Sequence, residues 1–221
     1  WLQGDKFDSP MNYSFRELMN DYFAHTDITA KEFAEGLVGL YTMYSFEALS
    51  ACQNLLSSHD VRRFLNRSEN NIGALKSAMF MQATFPGVAG IYYGDEVGLN
   101  GGDEPSNREA FPWHDESSWN NDLRMWVKEL MNLKSELIPL IKGKFELIGY
   151  SDSAVAFRRY FESDSVICLI NRDSLLKEWK IKTESNEIEL IWGHEEVKHM
   201  NKEIIIKNLP PYSGAIFREI S

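Results

Sequence analysis

The sequence changes its hydrophobic period near Pro139, and this change constrains the fold more than any other feature. Up to residue 137, short apolar runs alternate with longer stretches in which apolar residues recur at helical spacing. From Gly143 onward no helical period remains, and short apolar runs are separated by turn residues. Alternating strands and helices predict a parallel sheet, whereas successive short strands predict antiparallel sheets. We therefore expect two domains, residues 1–140 and residues 141–221.

Three strand–helix units account for the first part. Its strand candidates are short and continuously apolar, as expected of buried parallel strands. The predicted strands lie within residues 7–13, 54–58 and 89–93, and the predicted helices cover residues 29–49, 71–84 and 120–137. Thr26 or Thr29 could cap the first helix. Three units cannot close an eight-stranded barrel, so the edges of such a sheet would need covering.

The second part contains seven short strand candidates. They are residues 145–147, 155–157, 166–170, 179–181, 188–190, 204–206 and 215–217. Several alternate apolar and polar residues, which is typical of strands with one buried face. So many short strands in so short a stretch predict a small antiparallel β-sandwich.

Composition excludes several classes of function. A formal net charge of −10 without any basic run argues against a nucleic-acid partner. Only two cysteines, Cys52 and Cys168, exclude a disulfide scaffold and a zinc site built on cysteine pairs. No apolar stretch is long enough to cross a membrane, and the five histidines show no metal-ligand spacing. We expect no metal and no cofactor.

The dipeptide His59-Asp60 follows the second predicted strand. Proteins with parallel sheets place their chemistry at the ends of strands, and a carboxylate beside an imidazole can hold vicinal hydroxyls. The plainer alternative is that His59 lies in a loop and Asp60 caps the next helix. Asp95-Glu96 follows the third strand, but neighbouring residues in an extended segment point opposite ways, which favours a loop or helix-cap role.

Several aromatic residues could stack on sugar rings, whose apolar faces suit aromatic planes. They are Tyr13, Tyr92, Tyr93 and Trp113 in the first part, and Trp179, Trp192 and Tyr212 in the second. The alternative for each of them is packing in the core.

Four segments together resemble the α-amylase superfamily, glycoside hydrolase family 13. Residues 54–64 (NLLSSHDVRRF) resemble its fourth conserved region, and residues 84–96 (TFPGVAGIYYGDE) resemble its eighth strand and the loop after it. Residues 101–108 (GGDEPSNR) with Trp113, and residues 7–13 (FDSPMNY), are similar to the cyclomaltodextrinase, neopullulanase and maltogenic amylase branch. The region after residue 145 resembles the family's C-terminal sandwich domain more loosely.

The resemblance implies a fold and an activity. The fold would be the last three βα units of a (β/α)₈ barrel followed by the β-sandwich. The activity would be retaining cleavage of α-1,4 bonds, with α-1,6 bonds as a further target, in glucans such as maltooligosaccharides or cyclodextrins. Asp60 matches the carboxylate that stabilises the transition state and binds sugar hydroxyls, and His59 matches the imidazole beside it. Arg63, Arg108 and Tyr13 match substrate-binding or supporting positions.

The resemblance also implies that two catalytic carboxylates, the nucleophile and the general acid, precede Trp1. Asp5 and Asp8 match the connection into the sixth strand and do not replace them. We therefore expect a portion of a longer glycosidase that is inactive by itself. The alternatives are a non-catalytic glucan-binding module and an assembly module that forms homo-oligomers through the incomplete barrel. The two cysteines, the lack of a signal peptide and the resemblance favour the cytoplasm.

Overall fold

The computed structural model of the chain describes residues 6–7 and 9–220. Three short parallel strands form the first sheet, in the order β1-β2-β3. They are β1 (Met11–Asn12), β2 (Gln53–Leu55) and β3 (Val88–Gly90). Each strand precedes helical segments, as the alternation of the sequence predicts.

Seven α-helices accompany this sheet in the part of the chain that the structure describes. They are α1 (Tyr13–Met19), α2 (Ala30–Met43), α3 (Phe46–Ala51), α4 (Phe64–Arg67), α5 (Ile72–Thr84), α6 (Asn121–Glu136) and α7 (Ile138–Lys142). A π-helical turn, Asn20–Ala24, follows α1 directly. Of the two candidate caps, Thr29 begins α2, in a capping box with Glu32. The predicted helix over residues 29–49 is interrupted, because Tyr44 is extended and Ser45 caps α3.

The parallel strands are not continuously apolar, and on this point the sequence-based prediction is wrong. The buried side chain of β1 is Asn12, and Asn54 is fully buried in β2. The Asn12 amide donates to Asn54 Oδ1 at 2.9 Å, and the Asn54 amide donates to the Pro86 carbonyl at 2.9 Å. Gln82 of α5 donates to the carbonyls of Asn54 and Gly90. Buried amides are stable here because they bond to one another and to the backbone.

Eight antiparallel strands form the second part. They are β4 (Lys144–Tyr150), β5 (Ala154–Phe161), β6 (Asp164–Asn171), β7 (Leu176–Lys182), β8 (Glu187–Gly193), β9 (Val197–Met200), β10 (Glu203–Leu209) and β11 (Gly214–Ile220). One sheet has the order β4-β5-β6-β11-β8 and the other β7-β10-β9. An apolar cluster lies between the two sheets, with Ile167 and Phe217 from the first and Ile181 and Ile204 from the second. All seven predicted strands are present, and β9 was missed.

The opposite face of the five-stranded sheet packs against the helices. A single buried cluster joins Phe85, at the end of α5, and Leu140 of α7 to Phe145, Phe157 and Cys168 of the sheet. The predicted boundary between residues 140 and 141 falls within α7 and stays a prediction. Among residues 6–7 and 9–220, none of the helices combines the length and the apolar character that a bilayer crossing needs.

Arg159 of β5 is the polar contact at the centre of this junction. It is 1% exposed, and it donates to the carbonyls of Gly143 at 2.8 Å, Leu140 at 3.3 Å and Thr84. Thr84 and Leu140 belong to α5 and α7, whose last carbonyls have no partner within their own helix. Burial lowers the pKa of Arg159 to about 10, so the guanidinium stays charged at neutral pH.

Replacing Arg159 with methionine should destabilise the chain by about 3 kcal/mol, because each buried carbonyl left without a donor costs ~1–3 kcal/mol. Urea unfolding followed by circular dichroism measures the change. Arg218→Met is the matched control: Arg218 pairs with Asp164 at 3.2 Å and its side chain is 38% exposed, so its loss should cost less than ~1 kcal/mol. Equal effects of the two substitutions would contradict the assigned role of Arg159.

The buried ion pair between Arg158 and Glu219, which are 2.7 Å apart, should govern the acid stability of the second part. Burial opposes ionisation of Glu219, but hydrogen bonds from Arg158, Thr183 and Ser165 outweigh burial and lower the pKa of Glu219 to about 2. Because this pKa lies below the ordinary value of 4.5, the stabilisation is complete above that value. It is lost as the pH falls toward 2.

Glu219→Gln should therefore reduce the free energy of unfolding at pH 7 by about 3 kcal/mol, and the difference from wild type should shrink below about pH 4. Thermal unfolding at a series of pH values tests this. The exposed Glu187, also in a strand of the same sheet, supplies the control Glu187→Gln, which should unfold like the wild type at every pH. A pH-independent difference for Glu219→Gln would refute the linkage.

Candidate functional site

His59 and Asp60 lie just beyond the carboxyl end of β2. The backbone N–H of Asp60 donates to Ser58 Oγ at 3.1 Å, which fixes a tight turn after the strand. Nε2 of His59 lies 3.2 Å from Oδ1 of Asp60. The two side chains are 61% and 57% exposed. The pair is therefore formed and accessible, in the position at which parallel sheets present functional groups.

Arg108 reaches the same turn from the loop after β3. Its Nε donates to the His59 carbonyl at 2.8 Å, and Nη2 lies 3.9 Å from Asp60 Oδ1. Nη1 binds Glu104 at 3.0 Å. The structure thus brings together three of the predicted site residues, His59, Asp60 and Arg108, from two separate loops.

Asn107 holds these two loops together, and sequence reasoning missed it. Its side chain is buried, and Nδ2 lies 2.9 Å from the His59 carbonyl, 3.1 Å from that of Val61 and 3.5 Å from that of Ser58. The sequence signal was its place beside Arg108 in the segment 101–108. Gly101 allows the close return of this loop, because a Cβ there would lie 2.5 Å from the Ser106 carbonyl oxygen.

Arg63 lies behind the site rather than in it. Its side chain is buried, and Nη1 donates to the Tyr93 carbonyl at 2.8 Å and to Asp95 Oδ1 at 2.9 Å. The guanidinium also lies 4.5 Å from the centroid of the Tyr92 ring. Arg63 therefore joins the loop after β2 to the loop after β3, and its predicted contact with substrate stays a prediction.

Asp95 is the buried partner of Arg63, and this geometry matches the structural role that the sequence favoured. Burial raises the pKa of Asp95 to about 6, against the opposing effects of Ser57 and Arg63. Glu96 accepts a hydrogen bond from the backbone N–H of Gly94 at 2.7 Å, within its own turn. The two neighbouring carboxylates thus act in the loop and not as an acid–base pair.

Tyr13 approaches the site from α1. Its hydroxyl lies 3.3 Å from Ser58 Oγ, the same hydroxyl that binds the Asp60 backbone. Trp113 is 70% exposed and its ring lies 4.3 Å from that of Phe111, so it is not a core residue. Asp5 and Asp8 lie outside the described residues.

The arrangement can bind a neutral, hydroxyl-rich ligand. An exposed carboxylate accepts hydrogen bonds from hydroxyls, and the imidazole and guanidinium beside it donate them. No group of three or more His, Cys, Asp or Glu side chains within residues 6–7 and 9–220 is placed to hold a metal ion.

Comparisons with known proteins agree with the geometry. The family profile of the alpha amylase catalytic domain matches residues 1–136. A cyclomaltodextrinase of Geobacillus thermopakistaniensis is 30% identical over 98% of this chain and 37% of its own length. Neopullulanase 2 of Thermoactinomyces vulgaris is 39% identical over 65% of this chain and 24% of its own length. The chain spans well under half the length of these two relatives.

Solved structures match the whole described fold. The debranching enzyme of Nostoc punctiforme superposes with a TM-score of 0.88 and 26% identity, over 98% of this chain and 49% of that one. The match includes both the helical part and the β-sheets, and it confirms the family that the four sequence segments indicated. The chain belongs to the alpha-amylase family, and cyclomaltodextrinases, neopullulanases and maltogenic amylases are among its relatives.

Proposed function

We propose that this chain is the C-terminal part of a retaining α-glycosidase, and that Asp60 stabilises the transition state by binding the hydroxyls of the cleaved sugar. The observation that carries the proposal is the exposed His59–Asp60 pair at the end of a parallel strand, held by Arg108. A loop capping role, the plainer alternative, would not need both side chains to be accessible.

In this proposal, β1, β2 and β3 are the last three strands of a (β/α)₈ barrel. Their parallel order supports it, since strands of such barrels are parallel and neighbours in sequence pair in space. Met11 of β1 and Val88 of β3 are exposed, 40% and 52%, on the two outer strands. Further barrel strands would cover these edges. Association of two copies through the same edges is the second candidate role, and a homo-oligomer stays a prediction.

Asp60 cannot supply the whole mechanism. Retaining cleavage uses one carboxylate as nucleophile and another as general acid about 5 Å apart. Among the described residues, two carboxylates near the site are already bound to arginines: Glu104 to Arg108, and the buried Asp95 to Arg63. A general acid alone contributes ~10²–10⁴-fold, and the nucleophile provides the covalent route. We therefore propose that the two missing groups belong to preceding sequence.

The proposed substrate class is taken from the names of the related proteins. Their names include maltogenic alpha-amylase, cyclomaltodextrinase and neopullulanase, and related structures contain maltose or cyclic maltosyl-maltose. We propose α-1,4-linked glucans as substrates, with α-1,6 bonds as a further target. One relative is called intracellular, which favours the predicted cytoplasmic location.

The 221-residue chain should not hydrolyse cyclodextrin, pullulan or maltotriose above a buffer blank, while the complete glycosidase should. In the complete protein, Asp60→Asn should lower kcat by at least ~10²-fold, because the variant loses a charge that acts on the transition state. Asp152→Asn, in an exposed turn after β4, is the matched control and should keep full activity. Turnover by the isolated chain, or full activity of Asp60→Asn, would overturn the proposal.

Asn107 should act as a positioning residue. Asn107→Ala removes the side-chain amide that binds the backbone carbonyls of the 58–61 turn, so in the complete glycosidase kcat should fall ~10–100-fold with a smaller change in KM. Steady-state kinetics on maltotriose measure both constants. Asn132→Ala, on the exposed side of α6, controls for loss of an asparagine. A purely structural role would instead lower the melting temperature and leave kcat of the folded fraction unchanged.

A further inference from the structure

A cavity of about 270 Å³ lies at the junction of the helical part and the β-sheets. α5 contributes Lys76, Ser77 and Phe80, and α6 contributes Trp126. β6 contributes Ile170 and β8 contributes Trp192, and the remainder comes from residues 193–194, 210 and 212–214. The cavity shares no residue with the His59–Asp60 site.

One wall of the cavity is aromatic. Trp192 stacks on Phe80, with ring centroids 5.6 Å apart and an interplanar angle of 25°. Trp126 meets Trp192 edge to face at 5.7 Å. Trp192 is thus fixed from both sides, and neither indole is fully buried. Such a wall offers a rigid apolar surface that suits the apolar face of a pyranose ring.

Polar side chains also line the cavity. Ser77 is fully buried and lines the cavity, and its Oγ has no hydrogen-bond partner within the described residues. A buried hydroxyl without a partner is costly, so a ligand hydroxyl at this position would be stabilising. Nζ of Lys76 lies 5.6 Å from the centre of the Trp126 ring and adds a donor at the rim. Mostly apolar walls with a few polar groups are typical of small-ligand sites.

The cavity is also held in shape across the junction. Asn71 Nδ2 donates to the Tyr212 hydroxyl at 2.9 Å. The backbone of Gly73 lies directly against the Tyr212 ring, since a Cβ on Gly73 would be 2.6 Å from it. His194 Nε2 lies 2.6 Å from the Lys207 carbonyl. A site that is already ordered avoids part of the entropic cost of binding.

We propose that this cavity is a second, non-catalytic site that binds a glucosyl unit of an α-glucan. The size of the cavity, below that of most drug-sized ligand pockets, suits a mono- or disaccharide unit. The indole wall and the unpartnered serine hydroxyl suit a neutral ring with hydroxyl groups. The choice of an α-glucan rests on the proposed function, because the cavity itself indicates only a neutral ring that carries hydroxyl groups.

Maltoheptaose is the probe, titrated calorimetrically into the 221-residue chain carrying Asp60→Asn, so that the first site contributes least. Trp126→Ala should weaken binding about tenfold or more, as for loss of an aromatic anchor, and Lys76→Ala about threefold. Trp179→Ala removes a half-buried tryptophan of β7, outside the cavity, and should leave the affinity unchanged. Circular dichroism verifies that each variant is folded. If Trp126→Ala does not fold, the affinity of the Lys76→Ala variant decides the test.

Unchanged affinity in the folded cavity variants, or no binding by the Asp60→Asn chain, would overturn the inference. These outcomes are independent of the proposed function, which the hydrolysis assay on the complete glycosidase tests. If the complete glycosidase hydrolyses its substrates but the cavity variants bind maltoheptaose as the parent chain does, only the second site is refuted. If the cavity variants lose affinity for maltoheptaose but the complete glycosidase shows no hydrolysis, only the proposed activity is refuted.

Discussion

The buried guanidinium of Arg159 is the interaction on which the rest of the structure depends. It binds the last carbonyl of α5, at Thr84, and the carbonyls of Leu140 and Gly143 at the start of the β-sheets. Two residues after Thr84, the Pro86 carbonyl receives the amide of Asn54. Polar contacts therefore run from β5, through the end of α5, to β2, whose far end carries the candidate site. Because α5 is held at its end, the five-stranded sheet supports the position of the parallel strands through this helix.

The parallel sheet is held together by amides where the sequence favoured a continuous apolar core. Strands of two or three residues bury too few side chains to pack by hydrophobic contact alone, whereas Asn12, Asn54 and Gln82 make directed bonds between strands. Gly87 follows the same logic: its φ is positive, and a Cβ there would lie 2.7 Å from the Asn54 amide nitrogen, so a side chain is excluded. Local sequence does not distinguish a buried asparagine in a strand from an asparagine in a turn, because only the tertiary contacts differ.

The sequence predicted those elements whose signal is local. The candidate cap Thr29 and the predicted helix over residues 71–84 depend on residues close in sequence, and so do the seven predicted β-strands, several of which alternate. It does not predict α1 or the π-helical turn, because residues 7–13 favour a strand as a whole, whereas β1 ends at Asn12 and the same residue caps α1. At the site, His59, Asp60 and Arg108 were predicted, but Asn107 was not. Its three contacts lie almost fifty residues away in sequence, and only the tertiary fold brings them together.

The site separates the groups that hold its shape from the groups that could touch a ligand. Three of its side chains are buried and bind mainly backbone groups or one another, and they hold the two loops in place. They are those of Asn107, Arg63 and Asp95. His59, Asp60 and Arg108 remain exposed, with their side chains free to exchange water for sugar hydroxyls. A turn fixed in this way binds without reorganising, which is what stabilisation of a transition state requires. A single ordered carboxylate, however, can stabilise charge only where other groups make and break the bond, and for this reason the function proposed above assigns Asp60 to a larger active site.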